Sequence, residues 1–161
     1  MQGSILSVAG DKVLTSAAEY LTFLLGSEEY GVPIDRVKEL RAWQPVSRIP
    51  FAKSWECGLI NVRGAIVPVF DLRVRIGLSK ISYHSHTVIV LFRINKGGRE
   101  CEQGAVVDEL TDVFKVSANQ SHILTDSESG QTRDLASHVI ESGGRKIRIL
   151  DLARIFSLQA D

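Results

Sequence analysis

The strongest constraint on this fold is that part of the chain is written twice. Residues 64–72, GAIVPVFDL, resemble residues 144–152, GRKIRILDL, and the likeness continues to Leu78 against Leu158. Earlier in the chain, residues 31–40, GVPIDRVKEL, resemble residues 104–113, GAVVDELTDV. In both of these a Gly precedes an aliphatic-Asp pair, then aliphatic, acidic and aliphatic residues follow in one order. Aliphatic-Asp pairs are common, so either match alone carries little. Two matches in the same order and at similar separations argue for a duplicated β unit, roughly residues 20–78 and 87–158. Each half is too small to bury much surface alone, so two small barrels sharing a core are expected.

The local pattern agrees with a β-rich chain. Residues 20–25 are strand formers, Gly26-Ser27-Glu28-Glu29 is turn chemistry, and Tyr30-Gly31-Val32 resumes the strand. Pro33 suits the first position of a helix, and Ile34, Val37 and Leu40 follow at intervals of three, which predicts a short helical stripe opposite Arg36 and Arg41. A second hairpin turns at Arg63-Gly64. Its return strand contains Pro68, which lacks a ladder donor and so belongs at an edge or an outward-facing position. Asp71 is placed to cap a short helix carrying Leu72 and Ile76. Further strands are expected over 88–94, 104–107 and 113–116, and a last hairpin turns at Gly143-Gly144 before a closing helix near Asp151. Residues 117–133 read as a loop. Residues 1–18 read as a flexible leader ahead of a single domain at 19–158, with 159–161 a tail.

Composition narrows the function. Nineteen Lys and Arg balance nineteen Asp and Glu among 161 residues, with no block of like charge. That removes the usual electrostatic motive for binding nucleic acid. The longest apolar run, Val88 to Phe92, is far short of the roughly 20 residues of a membrane-spanning helix, and the N-terminus has no secretory-signal pattern. A cytoplasmic protein with no direct membrane insertion is expected. Cys57 and Cys101 make no disulfide framework and read as free thiols.

No catalytic constellation stands out, and neither cofactor nor metal is expected. GxSxG, P-loop, HExxH and GxGxxG motifs do not occur. His84 and His86 could face one side of a strand, but the segment supplies no third ligand. His122 and His138 stand alone. Asp71 and Asp151 hold equivalent repeat positions, where an acid at a strand end suggests capping before paired-carboxylate chemistry.

What remains is surface. Glu39 and Arg41 flank Leu40, and Arg63 occupies a tight Asn61-Val62-Arg63-Gly64 turn that pushes its guanidinium outward. Arg and aliphatic anchors are groups that protein interfaces use. A solvated turn residue is the plain alternative for Arg63, and core packing the plain alternative for Val37, Leu110 and Val113.

Taken together, several ordered stretches resemble the CheW-like coupling proteins of bacterial chemosensory pathways. They are residues 25–32 (LGSEEYGV), 37–41 (VKELR), 48–50 (RIP), 58–73 (GLINVRGAIVPVFDLR), 104–108 (GAVVD) and Asp112-Val113. The resemblance spans residues 20 to about 156. It implies a mostly β fold of two pseudo-symmetric five-stranded SH3-like barrels around a common core, with short helices. It also implies a non-enzymatic adaptor that joins the cytoplasmic tip of a chemoreceptor to the regulatory domain of a histidine kinase, recruited to receptor arrays at the inner membrane. The family's receptor-binding positions fall on Val37, Glu39, Gly58, Arg63, Val88, Leu110 and Val113, and Arg41 is a candidate for the kinase or another partner.

Two departures lie in the second half. Residues 135–140, LASHVI, replace an aromatic-Leu-x-Gly-type signature, and residues 117–133 lack the prolines common there. Two other readings stand beside the adaptor of flagellar chemotaxis. One is an adaptor of the same fold serving pili or surface sensing. The other is a small ligand-binding or hydrolytic β-barrel built on the His84/His86 pair.

Overall fold

A computed structural model describes residues 6–8, 11–13, 18–78, 81–116, 121–123 and 135–157. The chain divides into two compact units that are not consecutive sequence halves. One comprises residues 23–27 and 35–110; the other comprises 1–22, 28–34 and 111–161.

The first unit carries a five-stranded sheet. Its strands are β5 (Val37–Ala42), β6 (Glu56–Val62), β7 (Ala65–Asp71), β8 (Val88–Lys96) and β9 (Arg99–Val107), in the order β5-β8-β9-β7-β6. β6 and β7 form a hairpin in which Val62 faces Ala65. The two intervening residues, Arg63 (φ 50°) and Gly64 (φ 87°), both have positive φ, the combination of a type I′ turn that matches strand twist. Gly97-Gly98 performs the same service between β8 and β9. Pro68 faces outward and pairs with Leu59. The parallel ladder between β7 and β9 begins one residue later, at Val69, so no donor is missed. Ile60, Val62, Val67, Val69, Ile89, Leu91 and Val106 close the core, with Trp43, Val46 and Cys57 packed against it. Each such aliphatic side chain contributes about 1.5–3 kcal/mol on burial.

The other unit holds most of a sheet ordered β10-β3-β4-β13-β12-β11, the last residues of β3 and the first two of β10 being assigned to the first unit. Its strands are β3 (Ala18–Leu25), β4 (Glu28–Pro33), β10 (Glu109–Val116), β11 (Ser121–Ile123), β12 (Ala136–Ser142) and β13 (Arg145–Leu150). Tyr20, Val116, Ile140, Ile147 and Ile149 form its core cluster. Ile147 and Ile149 point inward at the strand period of two, while Arg148 between them is less buried.

The sequence repeat reappears as one register in two places. Gly104 lies opposite Val69 in a parallel pair, and Gly31 lies opposite Ile149 in another. These are the same repeat positions, and each pair joins residues from different sequence halves. A Cβ at Gly104 would sit 3.1 Å from methyls of Ile89 and Val69; at Gly31 it would sit 3.0 Å from Ile149 Cδ1. Glycine recurs because cross-strand aliphatics already fill that space. The backbone repeats too: the Asp71 amide donates to Trp55 O at 2.6 Å and the Asp151 amide to Leu135 O at 2.8 Å.

The chain is mostly β, as the sequence implies, its described strands forming sheets of six, five and two strands. The sixth, β11, falls inside 117–133, read above as a loop, where it pairs antiparallel with β12. Within the expected leader, Leu6–Val8 (β1) pairs with Asp11–Val13 (β2). The helical stripe after Pro33 does not form. A single 3-10 turn, Ile34–Arg36, leads directly into β5. The spacing of three was misleading because strand alternation puts Val37, Glu39 and Arg41 on the more buried face and leaves Leu40 42 % exposed on the other. Asp71 does cap α1 (Leu72–Arg75), accepting the Arg73 amide at 3.0 Å, and α2 (Leu152–Ser157) closes the described chain.

Candidate functional site

β5 and β6 lie at opposite ends of the five-stranded sheet, yet Arg63 of the β6–β7 turn forms an ion pair with Glu39 of β5. The sheet therefore curls until its two margins meet at this pair. Arg41 Nη1 donates to the other Glu39 oxygen at 2.7 Å, so one carboxylate is held between two guanidinium groups. The Arg63 hydrogen bond first, and Arg41 with it, holds the Glu39 carboxyl below the usual carboxylate range. Glu39 in turn raises Arg63 above its ordinary value. Arg63 is 64 % exposed, and its left-handed backbone serves the turn, so the guanidinium projects from the sheet margin with one of its five donors engaged by Glu39.

The other sequence-predicted positions divide by unit. Val37 sits half-buried at the start of β5, opposite Phe92. Val88 starts β8 opposite Ala42, also half-buried. Gly58, buried and at φ 150°, makes room for a neighbouring segment: a Cβ there would stand 2.1 Å from Ser47 O. Ser47 and Leu59 exchange backbone hydrogen bonds at 2.8 and 2.9 Å beside it. Gly58 thus shapes the surface and contacts nothing through a side chain. Leu110 is half-buried at the end of the same unit. Val113 belongs to the other unit and is 49 % exposed, which removes the core-packing reading for it.

An echo of the Glu39 site exists in that second unit. Asp112 occupies the repeat position of Glu39, and Arg145, first residue after the β12–β13 turn, reaches it at 3.4 Å. Arg145 binds Glu29 more closely, at 2.6 Å, and stacks over the Phe114 ring at 4.8 Å. Burial disfavours the Glu29 charge, but hydrogen bonds from Arg145 and Thr111 outweigh it and lower its pKa. In both repeats, an acid on an outer strand meets an arginine at a hairpin, from the turn itself in one and from the first strand residue after it in the other.

Sequence reasoning missed the most buried charges. Arg73, 1 % exposed, donates to Asp71 at 2.7 and 2.9 Å, to Asp108 at 2.8 Å and to Ser82 O at 2.6 Å. Tyr83 stacks on its guanidinium at 4.9 Å and donates to Asp71 at 3.1 Å. Asp108 also accepts the Gly26 amide at 2.7 Å. Burial works against the Arg73 charge, but Asp71 and Asp108 raise its pKa above the ordinary value. The signal available was the Asp of each aliphatic-Asp pair, an acid embedded in apolar sequence that needs a partner. Nearby, burial and the Asp71 charge push the Cys57 thiol up to about 11.

His84 and His86 lie on the segment before β8 with ring centroids 6.0 Å apart, and His84 Nδ1 accepts the His86 amide. Among the described residues no group of three His, Cys, Asp or Glu converges on a metal site, and no helix is long and apolar enough to cross a membrane. His122 lies in β11, its side chain outside the described residues. In the divergent segment, Leu135, Ala136 and Ile140 are buried, so the missing signature is replaced by ordinary core packing.

These features define a β protein with two large sheets that carries arginine–carboxylate pairs at its hairpins. A family model described as "CheW-like domain" matches residues 19–160, and the chain belongs to that family. It is 32 % identical over 96 % of its length to the chemotaxis protein CheW of Klebsiella aerogenes, covering 89 % of that protein. Likewise it is 30 % identical over 89 % of its length to CheW of Rhizobium meliloti (95 % covered) and 27 % identical over 86 % to CheW of Bacillus subtilis (86 % covered). The scaffolding protein TtCheW from Thermoanaerobacter tengcongensis has the same fold, with a TM-score of 0.79 at 24 % identity over 91 % of this chain and 97 % of that one.

Proposed function

We propose that this protein is a non-enzymatic cytoplasmic adaptor that couples the cytoplasmic tip of a chemoreceptor to the regulatory domain of a histidine kinase. The single observation that carries this reading is the Glu39–Arg63 pair: an arginine fixed at positive φ in a type I′ turn, exposed, and oriented by a carboxylate from the far margin of its sheet. Such a preorganised guanidinium loses little freedom on meeting a partner, which is what an interface anchor requires. Val37 and Val88, half-buried on the adjacent strands β5 and β8, supply apolar area on the same sheet, and Gly58 keeps the local shape. Leu110 and Val113 extend the receptor-binding set as the family resemblance assigns it. Arg41 holds Glu39 and serves the kinase or another partner.

Contacts of this size are individually modest. They gain strength when receptors and kinases present several sites at once. Signal transfer then requires that the receptor alter the relative stability of kinase states through the bound adaptor. The names of the relatives, chemotaxis proteins and a scaffolding protein, support this reading. Binding of purified protein to a receptor cytoplasmic fragment and to a kinase regulatory domain tests it, with Arg63→Ala as the informative variant.

A further inference from the structure

Among the described residues, sheltered cations meet carboxylates. Arg41, Arg73, Arg145 and Arg148 are half-buried or buried, and each forms an ion pair. Lys53 and Arg75 are half-buried too, yet neither has a carboxylate partner among the described residues. Both lie over one indole ring, that of Trp55, each charge 5.3 Å from its centroid. The nearest acid in sequence, Glu56, accepts the Lys53 backbone amide at 3.2 Å and leaves the ammonium unpaired.

Two donors in this cluster are buried without an acceptor, Trp55 Nε1–H and Arg75 Nε–H. Lys, Arg and Trp side chains carry only donors, so these three residues cannot satisfy one another. Buried polar groups are normally paired, and two orphans in one cluster call for an acceptor from elsewhere. A water molecule would satisfy the donors and leave both charges uncompensated. An oxyanion answers both needs.

The fold does not require charge at these places. The Asp71 amide donates to Trp55 O as the Asp151 amide does to Leu135 O, which makes Trp55 and Leu135 equivalent in the two repeats. By the same offset Arg75 corresponds to Ile155. Leu135 and Ile155 are both fully buried, so the other unit fills the equivalent positions with apolar packing.

We propose that Lys53, Trp55 and Arg75 form a binding site for a phosphate group. Its oxygens accept from the indole N–H and the Arg75 guanidinium, and Lys53, on its flexible stem, closes over them. Charge selects phosphate over carboxylate: a phosphoryl group carries roughly 1.5–2 negative charges at pH 7, enough to answer two cations, and a carboxylate carries one. Two cations hold one such group and not a nucleic-acid backbone, whose binding draws on many phosphates. The group arrives either as free phosphate or on a phosphorylated side chain of another protein. None of the residues of the Arg63 site takes part.

The indole N–H gives its own signal in a proton–nitrogen correlation spectrum, and with two tryptophans in the chain a Trp43→Phe variant assigns that of Trp55. The probes are sodium phosphate at pH 7 and a short, otherwise uncharged peptide carrying one phosphoserine, with ionic strength held constant by sodium chloride. A saturable downfield shift of the Trp55 signal is expected, with affinity lower by about tenfold or more in Arg75→Gln and in Lys53→Gln. Tighter binding of the phosphopeptide assigns the site to a phosphorylated protein, and tighter or equal binding of inorganic phosphate assigns it to the free ion. The proposal is overturned by the lack of a saturable shift with either probe, by equal affinity for acetate, or by wild-type affinity in both variants. The comparison with acetate uses wild type alone, so it holds even where a variant fails to fold. None of these results touches the Arg63 reading.

Discussion

Arg73 donates to Asp108, thirty-five residues further on, at 2.8 Å from a position only 1 % exposed. Asp71 closes the other side of the guanidinium and also caps α1, so one buried charge ties β7, α1 and the end of β9 together. Removing one member of such a set leaves a buried charge without compensation. We expect Arg73→Met to cost about 3–5 kcal/mol in urea unfolding. Arg73→Lys should recover only part of that, because an ammonium cannot bridge both carboxylates in the plane of a fork. A loss under 1 kcal/mol for Arg73→Met would contradict the role given to this network.

Gly58 separates shape from contact. At φ 150°, with Ser47 O only 2.1 Å from a Cβ position, Gly58→Ala must displace the Ser47–Leu59 bridge. Destabilisation of about 2 kcal/mol or more is expected. Faster amide exchange at Leu59 should accompany it, together with weaker partner binding.

His138 gives the protein a pH-dependent margin. Burial lowers its pKa, and Nε2 is buried without a hydrogen bond. Since the folded value is below the unfolded value of about 6.5, the unfolded chain takes up the proton more readily. Stability is therefore complete above about pH 6.5 and declines as pH falls through the lowered folded value. Urea midpoints at pH 7 and pH 5.5 should differ in wild type, and by less in His138→Leu.

Cys57 should be a slow thiol. With its pKa pushed up to about 11, the reactive thiolate is scarce at pH 8. In a Cys101→Ser background, modification by a disulfide reagent should accelerate roughly tenfold per pH unit until about pH 11. A plateau near pH 9 would show that the thiol is not shielded as described.

Much of the fold was legible because turns announce themselves. Arg63-Gly64, Gly97-Gly98 and Gly143-Gly144 each sit between strands at positive φ, and the repeat located Gly31 and Gly104 before their cross-strand neighbours were known. The stripe at Ile34, Val37 and Leu40 failed because Ile34 on a 3-10 turn, followed by Val37 and Leu40 on a half-exposed margin strand, mimics a helical period. Glu39, Arg41 and Arg63 were legible as surface residues. Their mutual pairing was not, since it depends on the curl of the sheet bringing β5 to the β6–β7 turn. The Arg73–Asp108 bond was invisible because it joins residues thirty-five positions apart, and Phe51 was passed over because a lone exposed aromatic in a turn has no periodic signature.

Arg63 bears the central claim, and its environment makes the test clean. It is exposed, it pairs with Glu39, and its turn accepts other residues with positive-φ tolerance. The decisive measurement is calorimetric titration of wild type, Arg63→Ala and Arg63→Asn with a purified receptor cytoplasmic fragment and a purified kinase regulatory domain, with thermal unfolding in parallel. Both variants should unfold close to wild type, Asn because it tolerates the turn, while affinity for at least one partner falls about tenfold or more. Wild-type affinity for both partners in stably folded variants would contradict it.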